Sequence, residues 1–299
     1  MNPPTLIFLM GPTASGKTAI AMDLAKRING EIISVDSALI YQGMDIGTAK
    51  PSPQELAEIP HHLIDICDPK TPYSVADFCS DAKHAIDDIL ARGKTPLLVG
   101  GTMMYFYALK HGLSMMPASD PVIRKKLEQQ MQIQGLQSLY QQLKTVDILL
   151  ANSLHTNDTQ RILRALEVYE STGIPLSEWQ KNADKNKLKF DIRSYAVMPA
   201  ERETLHHNIE MRLKKMLAQG FMDEMQRLYH RGDLSEDLPS MRCVGYRQAW
   251  QYLSGEGDFL LMQEKILAAT RQLAKRQITW LRKWSDLIWF VPKFIIKSF

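Results

Sequence analysis

The first twenty residues restrict the fold more than any other stretch of the chain. An apolar run, Leu6-Ile7-Phe8-Leu9-Met10, leads directly into Gly11-Pro12-Thr13-Ala14-Ser15-Gly16-Lys17-Thr18, a G-x-x-x-x-G-K-T phosphate loop, and Ala19 to Asn29 reads as a helix closed by Gly30. A buried strand, a glycine-bearing turn and a helix N-terminus in that order make an anion site, because curled backbone N–H groups and the helix dipole both favour negative charge. Lys17 supplies a point charge to the terminal phosphates, and the Thr18 hydroxyl can ligate the Mg2+ that accompanies them. The motif calls for a polyphosphate and leaves its carrier open.

The strand-then-helix pattern recurs. Glu31 to Asp36 reads as a second short strand that delivers Asp36 to its carboxyl end, followed by the loop Tyr41 to Gly47. Ser74 and Asp77 form a capping box for a helix whose apolar residues follow i, i+3, i+4 spacing as far as Gly93. A third strand, Pro96 to Val99, runs into Gly100-Gly101-Thr102 and another helix. This alternation predicts an α/β fold, a P-loop NTPase-like parallel sheet flanked by helices, with ligands beyond the carboxyl ends of the strands. The phosphate loop, Asp36 and Thr102 are expected along that one edge.

From about Leu113 to Phe190 strand signals vanish and helical segments take over, one opening at Asp120-Pro121 and another capped near Asn157-Asp158. The expected organisation is a core of residues 1–112 and 191–299, interrupted by a helical insertion at 113–190. A lysine-rich stretch, Lys181 to Lys187, closes the insertion as a polar linker, and a strand-like Ile192 to Met198 returns the chain to the sheet. The remainder is expected to be mostly helical.

With 45% hydrophobic and 23% charged residues over 299 positions, the composition is that of a globular protein. No run approaches the roughly 18 apolar residues of a membrane span, and the N-terminus lacks the basic and apolar regions of a signal peptide, so a cytoplasmic location is expected. Cys67, Cys79 and Cys243 are odd in number and show no C-x-x-C spacing, which makes them core thiols instead of a disulfide or zinc framework. The net charge of +3 is small but unevenly spread: Arg242 to Lys283 holds eight basic residues against three acidic ones.

Several residues carry candidate chemistry. Asp36 is placed to act as a general base or to hold Mg2+ through water, and spacing does not separate the two. Thr102 is either a functional hydroxyl or a helix N-cap. In the helix from Asp258 to Trp284, Arg271, Lys275 and Arg282 fall within about 40° of one another while Leu273, Trp280 and Trp284 gather opposite. That face is either solvated or, with the neighbouring Arg-Cys-Val-Gly-Tyr-Arg segment at 242–247, a surface for phosphate contact and base stacking on RNA. Arg161 and Arg164, i and i+3 on one helix, either clamp phosphate or decorate the surface. His61-His62-x-x-Asp65 only superficially resembles a metal set, and no G-x-S-x-G nucleophile elbow occurs.

GPTASGKT, VDSALIYQGMDIGTAKP, LLVGGTMMYFYAL, QRILRALEVY, MRCVGYRQAW and TRQLAKRQITWLRKW, in this order along nearly the whole chain, closely resemble the bacterial tRNA dimethylallyltransferases, also called tRNA isopentenyltransferases. With no cysteine after Cys243 in the sequence, the C-terminal zinc finger that eukaryotic members often carry is not expected. The resemblance implies transfer of a dimethylallyl group from dimethylallyl diphosphate to N6 of the adenosine beside the anticodon, on its 3′ side, with release of diphosphate. It implies that Thr13 to Thr18 line the diphosphate, that Lys17, Thr18 and Mg2+ neutralise the leaving group, and that Asp36 takes the N6 proton. Asp36, Ser37, Ala38, Leu39 and Thr102 would contact the target adenosine. Further contacts to the anticodon stem-loop would come from Arg124; from Gln160, Arg161, Ile162, Leu163 and Arg164; from Arg242, Cys243, Val244, Gly245, Tyr246 and Arg247; and from Lys275, Arg276, Gln277, Ile278, Thr279, Trp280, Leu281 and Arg282. A monomer without membrane attachment is expected. A small-molecule or nucleotide kinase using the loop for ATP is the runner-up, and a non-catalytic RNA-binding switch is third.

Overall fold

The computed structural model describes residues 4–113, 116–181 and 190–291. Most of the lysine-rich stretch expected as a linker, beyond Lys181, lies outside the described residues. The chain forms two compact units, Met1–Tyr107 with Lys189–Phe299, and Ala108–Leu188.

The first unit is built on β1 (Thr5–Met10), β2 (Gly30–Val35), β3 (His61–His62), β4 (Thr95–Gly100), β5 (Asp191–Val197) and β6 (Leu287–Phe290). They form one six-stranded sheet in the order β3-β2-β4-β1-β5-β6, with every pairing parallel. All six residues of β2 are buried, as expected for a strand covered on both faces. Helix α1 (Lys17–Arg27) covers one face, where Ala21, Leu24 and Ala25 pack on Leu9, Ile32 and Leu97. After the short α2 (Pro53–Glu58), α3 (Val75–Ala91) and α4 (Met103–His111) follow in the chain. Phe8, next to Leu9 and so pointing to the opposite face, meets Phe106 of α4 at 5.0 Å, and Phe78 of α3 stacks on Tyr105 at 4.2 Å. The Ser74–Asp77 capping box opens α3 as the sequence implies.

The register decides what the sheet presents. Met10, Val35 and Gly100 are cross-strand partners, so Gly11, Asp36 and Gly101 leave the carboxyl edge at one level. Gly100 has to be glycine there, because a Cβ would collide with the Val35 carbonyl.

The second unit contains α5 (Pro121–Gln134), α6 (Leu136–Val146), α7 (Ile148–Ser153), α8 (Thr159–Thr172) and α9 (Leu176–Lys181) around a core of Leu127, Leu139, Leu143, Ile162, Leu163 and Leu166. Asp120 caps α5, with Pro121 at its first position, and Asp158 caps α8. Within the first unit, α10 (Arg202–Ala218), α11 (Phe221–Tyr229), α12 (Tyr246–Leu253) and α13 (Phe259–Arg282) enclose Phe221, Met225, Trp250, Met262 and Ile266. Among the described residues, no helix is long and apolar enough to cross a membrane.

Three expectations change. Helix α1 is closed by Asn29, which takes the left-handed conformation at φ 50°, while Gly30 opens β2 and pairs with Thr95. The two-residue β3 has too few side chains to show alternation. Strand β6 extends the sheet in a remainder expected to be mostly helical, because Leu287-Ile288-Trp289-Phe290 is a four-residue apolar run whose strand character comes from pairing with β5.

Candidate active site

A cavity of about 560 Å3 opens at the carboxyl edge of the sheet. Its walls include Thr13 from the loop after β1, Lys17 and Thr18 from the first turn of α1, Asp36 to Leu39 after β2, and Gly100 to Thr102 at the end of β4. Helices α10 and α13 close it with Arg212, Leu213, Arg276, Gln277 and Trp280.

The phosphate loop owes its shape to two left-handed residues, Ala14 at φ 61° and Gly16 at φ 84°, and to a turn in which Ser15 N–H donates to the Pro12 carbonyl at 3.3 Å. The same carbonyl accepts from Lys17 Nζ at 3.3 Å. Asn208 of α10 donates to the Ala14 carbonyl at 3.2 Å and holds the loop from outside. Burial pushes the Lys17 ammonium down to about 8; Asp36 works against that shift and Arg212 adds to it. The Arg212 guanidinium is likewise lowered by burial, opposed by Asp36, and it donates to the Thr48 carbonyl at 2.8 Å. Two buried hydroxyls, Ser15 Oγ in the loop and Ser34 Oγ on the cavity wall, have no hydrogen-bond partner among the described residues. Paired cations and unpartnered donors fit an anionic, oxygen-rich ligand.

On the cavity wall, Asp36 Oδ1 accepts the N–H of Ala38 at 2.9 Å and of Leu39 at 3.4 Å, an Asx turn that leaves Oδ2 with capacity for a proton. Thr102 Oγ1 accepts the N–H of Ser37 at 3.1 Å, so the hydroxyl ties the loop after β4 to the loop after β2. Cys243 lines this side as a neutral thiol pushed up to about 12, chiefly by burial and then by Asp36. It is a cavity residue, unlike the buried Cys67 and Cys79.

A carboxylate in the core supports the wall. Glu224 accepts the N–H groups of Asp45, Ile46 and Gly47 at 2.9, 2.7 and 3.1 Å and the Tyr246 hydroxyl at 2.6 Å. It thereby fixes the turn that offers the Thr48 carbonyl to Arg212.

A family model described as IPP transferase matches residues 39–284, and one described as isopentenyl transferase matches residues 4–66. The chain belongs to the IPP transferase family. It is an enzyme, a prenyltransferase, and none of these matches favours a kinase. The full-length tRNA isopentenylpyrophosphate transferase of Bacillus halodurans is similar at 37% identity and a TM-score of 0.70, over 96% of this chain and 89% of that one. The tRNA Δ2-isopentenylpyrophosphate transferase of Staphylococcus epidermidis is 36% identical with a TM-score of 0.69, over 97% and 94%. A eukaryotic dimethylallyltransferase acting on tRNA is 29% identical with a TM-score of 0.82, over 96% and 74%.

The prenyltransferase fold brings Lys17, Thr18, Asp36 to Leu39, Thr102, Arg242 to Tyr246, Arg276, Gln277 and Trp280 to one cavity. Several expected RNA contacts are turned elsewhere. Ile162 and Leu163 have 0% and 1% exposure and build the core of the second unit. Leu281, at 1%, does the same in the first unit, and Ile278 packs on the Leu205–Ile209–Ala274 cluster. Tyr246 is fully buried with its hydroxyl on Glu224, which removes it from base stacking. Within the second unit, Arg164 pairs with the buried Glu167 at 3.1 Å and donates to the Pro117 carbonyl, and Arg124 pairs with Glu128 at 2.8 Å. Arg161 stays exposed beside Asp158, and Gln160 is exposed at the start of α8. Of the cationic face on α13, Arg271 is paired with Glu210, whereas Lys275 and Arg282 are exposed. Trp280 lines the cavity, edge-on to Tyr107.

Sequence reading missed Arg212, Asn208 and Glu224. For Arg212 a signal existed: it interrupts the apolar stripe Ile209, Leu213 and Met216 on α10, and a cation on a buried stripe needs an anionic partner.

Proposed function

We propose that this prenyltransferase moves a dimethylallyl group from dimethylallyl diphosphate to N6 of the adenosine on the 3′ side of the anticodon of tRNA. The observation that carries this reading is that two kinds of group line one cavity, an anion cradle with Lys17 and Arg212 and the Asp36 carboxylate. The diphosphate lies in the phosphate loop, where Lys17 and Arg212 stabilise the charge that grows on the leaving oxygen. Adenine N6 attacks C1 of the donor, the C1–O bond breaks, diphosphate departs, and the N6 proton passes to Asp36 Oδ2. An unpaired loop adenine costs little to turn into the pocket, where Thr102 and Ser37 border Asp36.

Thr18, exposed at the start of α1, suits Mg2+, which takes few protein ligands and completes its shell with phosphate oxygens and water. Among the described residues no group of three or more His, Cys, Asp or Glu gathers, so the remaining ligands would have to come from the donor and solvent. When bound, the ion adds charge neutralisation at the leaving diphosphate. Exposed Arg161, Arg242, Arg247, Lys275 and Arg282 contribute phosphate contacts to the anticodon stem-loop, and the inserted helical unit takes part through Arg161. The enzyme works as a cytoplasmic monomer, where its RNA substrate is found.

The test is direct. Purified protein, an anticodon stem-loop RNA, dimethylallyl diphosphate and Mg2+ are mixed, and the RNA is analysed by mass spectrometry after digestion. Prenylated adenosine with stoichiometric diphosphate release is expected, without dependence on ATP. ATP consumption and unmodified RNA would establish the kinase; binding with neither reaction would leave an RNA-binding protein.

A further inference from the structure

Gln277 belongs to the segment read from the sequence as RNA-contacting, yet its amide is turned inward. Its Oε1 accepts the N–H of Thr13 at 2.9 Å, and its Nε2 donates to the carbonyl of Gly101 at 2.9 Å. Two partners of opposite polarity fix which end of the amide is which, and a side chain of this length with one acceptor and one donor is required to satisfy both. Space for it is built in, since a Cβ on Gly101 would collide with Gln277 Nε2.

What the two contacts hold differs. Thr13 N–H is one end of the Pro12–Thr13 peptide, and the Pro12 carbonyl at the other end receives Lys17 Nζ and the N–H of Ser15, both at 3.3 Å. A peptide unit is planar, so fixing its N–H fixes the direction of its carbonyl and with it the resting position of Lys17. On the other side Gly101 precedes Thr102, whose N–H donates to the Val35 carbonyl at 3.2 Å and whose hydroxyl holds Ser37, the neighbour of Asp36. One side chain on α13 therefore joins the loop that carries Lys17 to the loop that orients the Asp36 segment.

We infer that Gln277 is a positioning residue which sets the distance between the anion cradle and the carboxylate by bridging the loops after β1 and β4, and that it does not contact RNA. This rests on the transferase reading of the cavity. Its substitution acts on turnover through Lys17 and Asp36, because both substrates must be held at reacting distance and a displacement near 1 Å costs orders of magnitude in rate.

The experiment compares Gln277→Leu and Gln277→Glu with the unmodified enzyme, each checked for an unchanged thermal midpoint. Three quantities are measured: single-turnover prenyl transfer across pH, RNA affinity, and affinity for inorganic diphosphate with Mg2+ by calorimetry. Gln277→Leu is expected to lower the single-turnover rate roughly ten- to hundredfold, with RNA affinity within about twofold. Diphosphate binding should weaken roughly five- to tenfold, because Thr13 N–H is left without its acceptor. Gln277→Glu keeps the acceptor for Thr13 but sets a second carboxylate oxygen against the Gly101 carbonyl. Protonation replaces that repulsion with an O–H donor, so the rate of this variant relative to the unmodified enzyme should climb as pH falls and then level off. The leucine variant should show no such recovery. A flat ratio for Gln277→Glu, or a leucine variant that loses RNA affinity while keeping its rate, overturns the inference. An unmodified enzyme that forms no prenylated RNA would instead sink the parent reading, and the diphosphate measurement would still report on the bridge.

Discussion

Lys17 offers a quantitative test of how the cradle receives its anion. Buried beside Arg212, its ammonium titrates near 8 instead of 10.5 in the free enzyme, with Asp36 as the opposing charge. The native chain then binds fewer protons than the unfolded one between those values, so this residue weakens the fold when charged in both states, and the weakening fades as pH rises from about 8 toward 10.5. Donor binding runs the other way, since a diphosphate restores the charged form. At pH 8 about half of the free enzyme carries the charge, and at pH 9 about one molecule in eleven does. Donor association should therefore weaken about fivefold across that unit, approaching a limit of about 1.4 kcal/mol per pH unit above it. Binding should take up about half a proton at pH 8 and about 0.9 at pH 9. Calorimetry with dimethylallyl diphosphate and Mg2+ in two buffers of different ionisation enthalpy measures both quantities, and the donor is fully ionised throughout this range. Cys243, pushed up to about 12, stays neutral across it, and an arginine keeps its charge in proteins, which leaves Lys17 as the titrating neighbour of the cradle. Lys17→Arg should abolish both the proton uptake and the pH slope. Affinity that is level from pH 8 to 9 in the unmodified enzyme, with no proton taken up, would refute the placement of the donor against Lys17.

Asp36→Asn should retain RNA binding and lose roughly 10²- to 10⁴-fold in single-turnover rate, the usual worth of a positioned base; a near-normal rate would reduce Asp36 to an orienting group. Replacing Lys275 and Arg282 with Gln should lower the magnitude of the log affinity versus log salt slope by about 1.4, at roughly 0.7 per phosphate contact, and adding Arg271→Gln should change it little because Glu210 already neutralises that arginine. Glu224→Ala leaves three backbone N–H groups and the Tyr246 hydroxyl without their acceptor, so urea unfolding should show a loss of at least about 3 kcal/mol. Trp280→Ala should raise KM with little change in Tm, since this ring borders the cavity; a large stability loss with unaltered KM would return it to the core.

How much was legible follows from where each kind of information is written. The sheet edge could be read because each strand carries a short apolar stretch, Leu6 to Met10, Ile32-Ile33 and Leu97 to Val99, and is followed at once by a glycine or a carboxylate, Gly11, Asp36 or Gly100-Gly101. Helix starts were legible for the same local reason: Ser74, Asp120, Asp158 and Asp258 each accept an N–H of the first turn with their own side chain. Long-range pairing is not written locally. Nothing in Leu287 to Phe290 shows that β5 has an unpaired edge waiting, and nothing in Arg164 shows that Glu167 and the Pro117 carbonyl will claim it. Contiguous motifs also mislead at residue level, because a helix turns its neighbours in different directions. Within Gln160 to Arg164, Arg161 reaches solvent while Ile162 and Leu163 enter the core; within Lys275 to Arg282, Gln277 and Trp280 reach the cavity and Leu281 does not.

The sheet itself explains why a loop suited to polyphosphate can serve a carbon transfer. Strand β4 lies between β1 and β2, so the phosphate loop and Asp36 leave the edge two strand spacings apart, about 10 Å. That spacing leaves room along the sheet edge for a diphosphate, an allylic carbon and an attacking amine in sequence. The strand between them ends in Gly100-Gly101, which contributes no side chain to the gap, and the next residue spends its hydroxyl on Ser37 instead of filling the space. A kinase needs its acceptor hydroxyl at the terminal phosphorus; a prenyltransferase needs its acceptor nitrogen at a carbon beyond the last phosphate oxygen, with the base further still. An anion cradle and a carboxylate held two strands apart, with glycine between, leave room for either acceptor, so it is the kinship with prenyltransferases that assigns the carbon as the atom attacked.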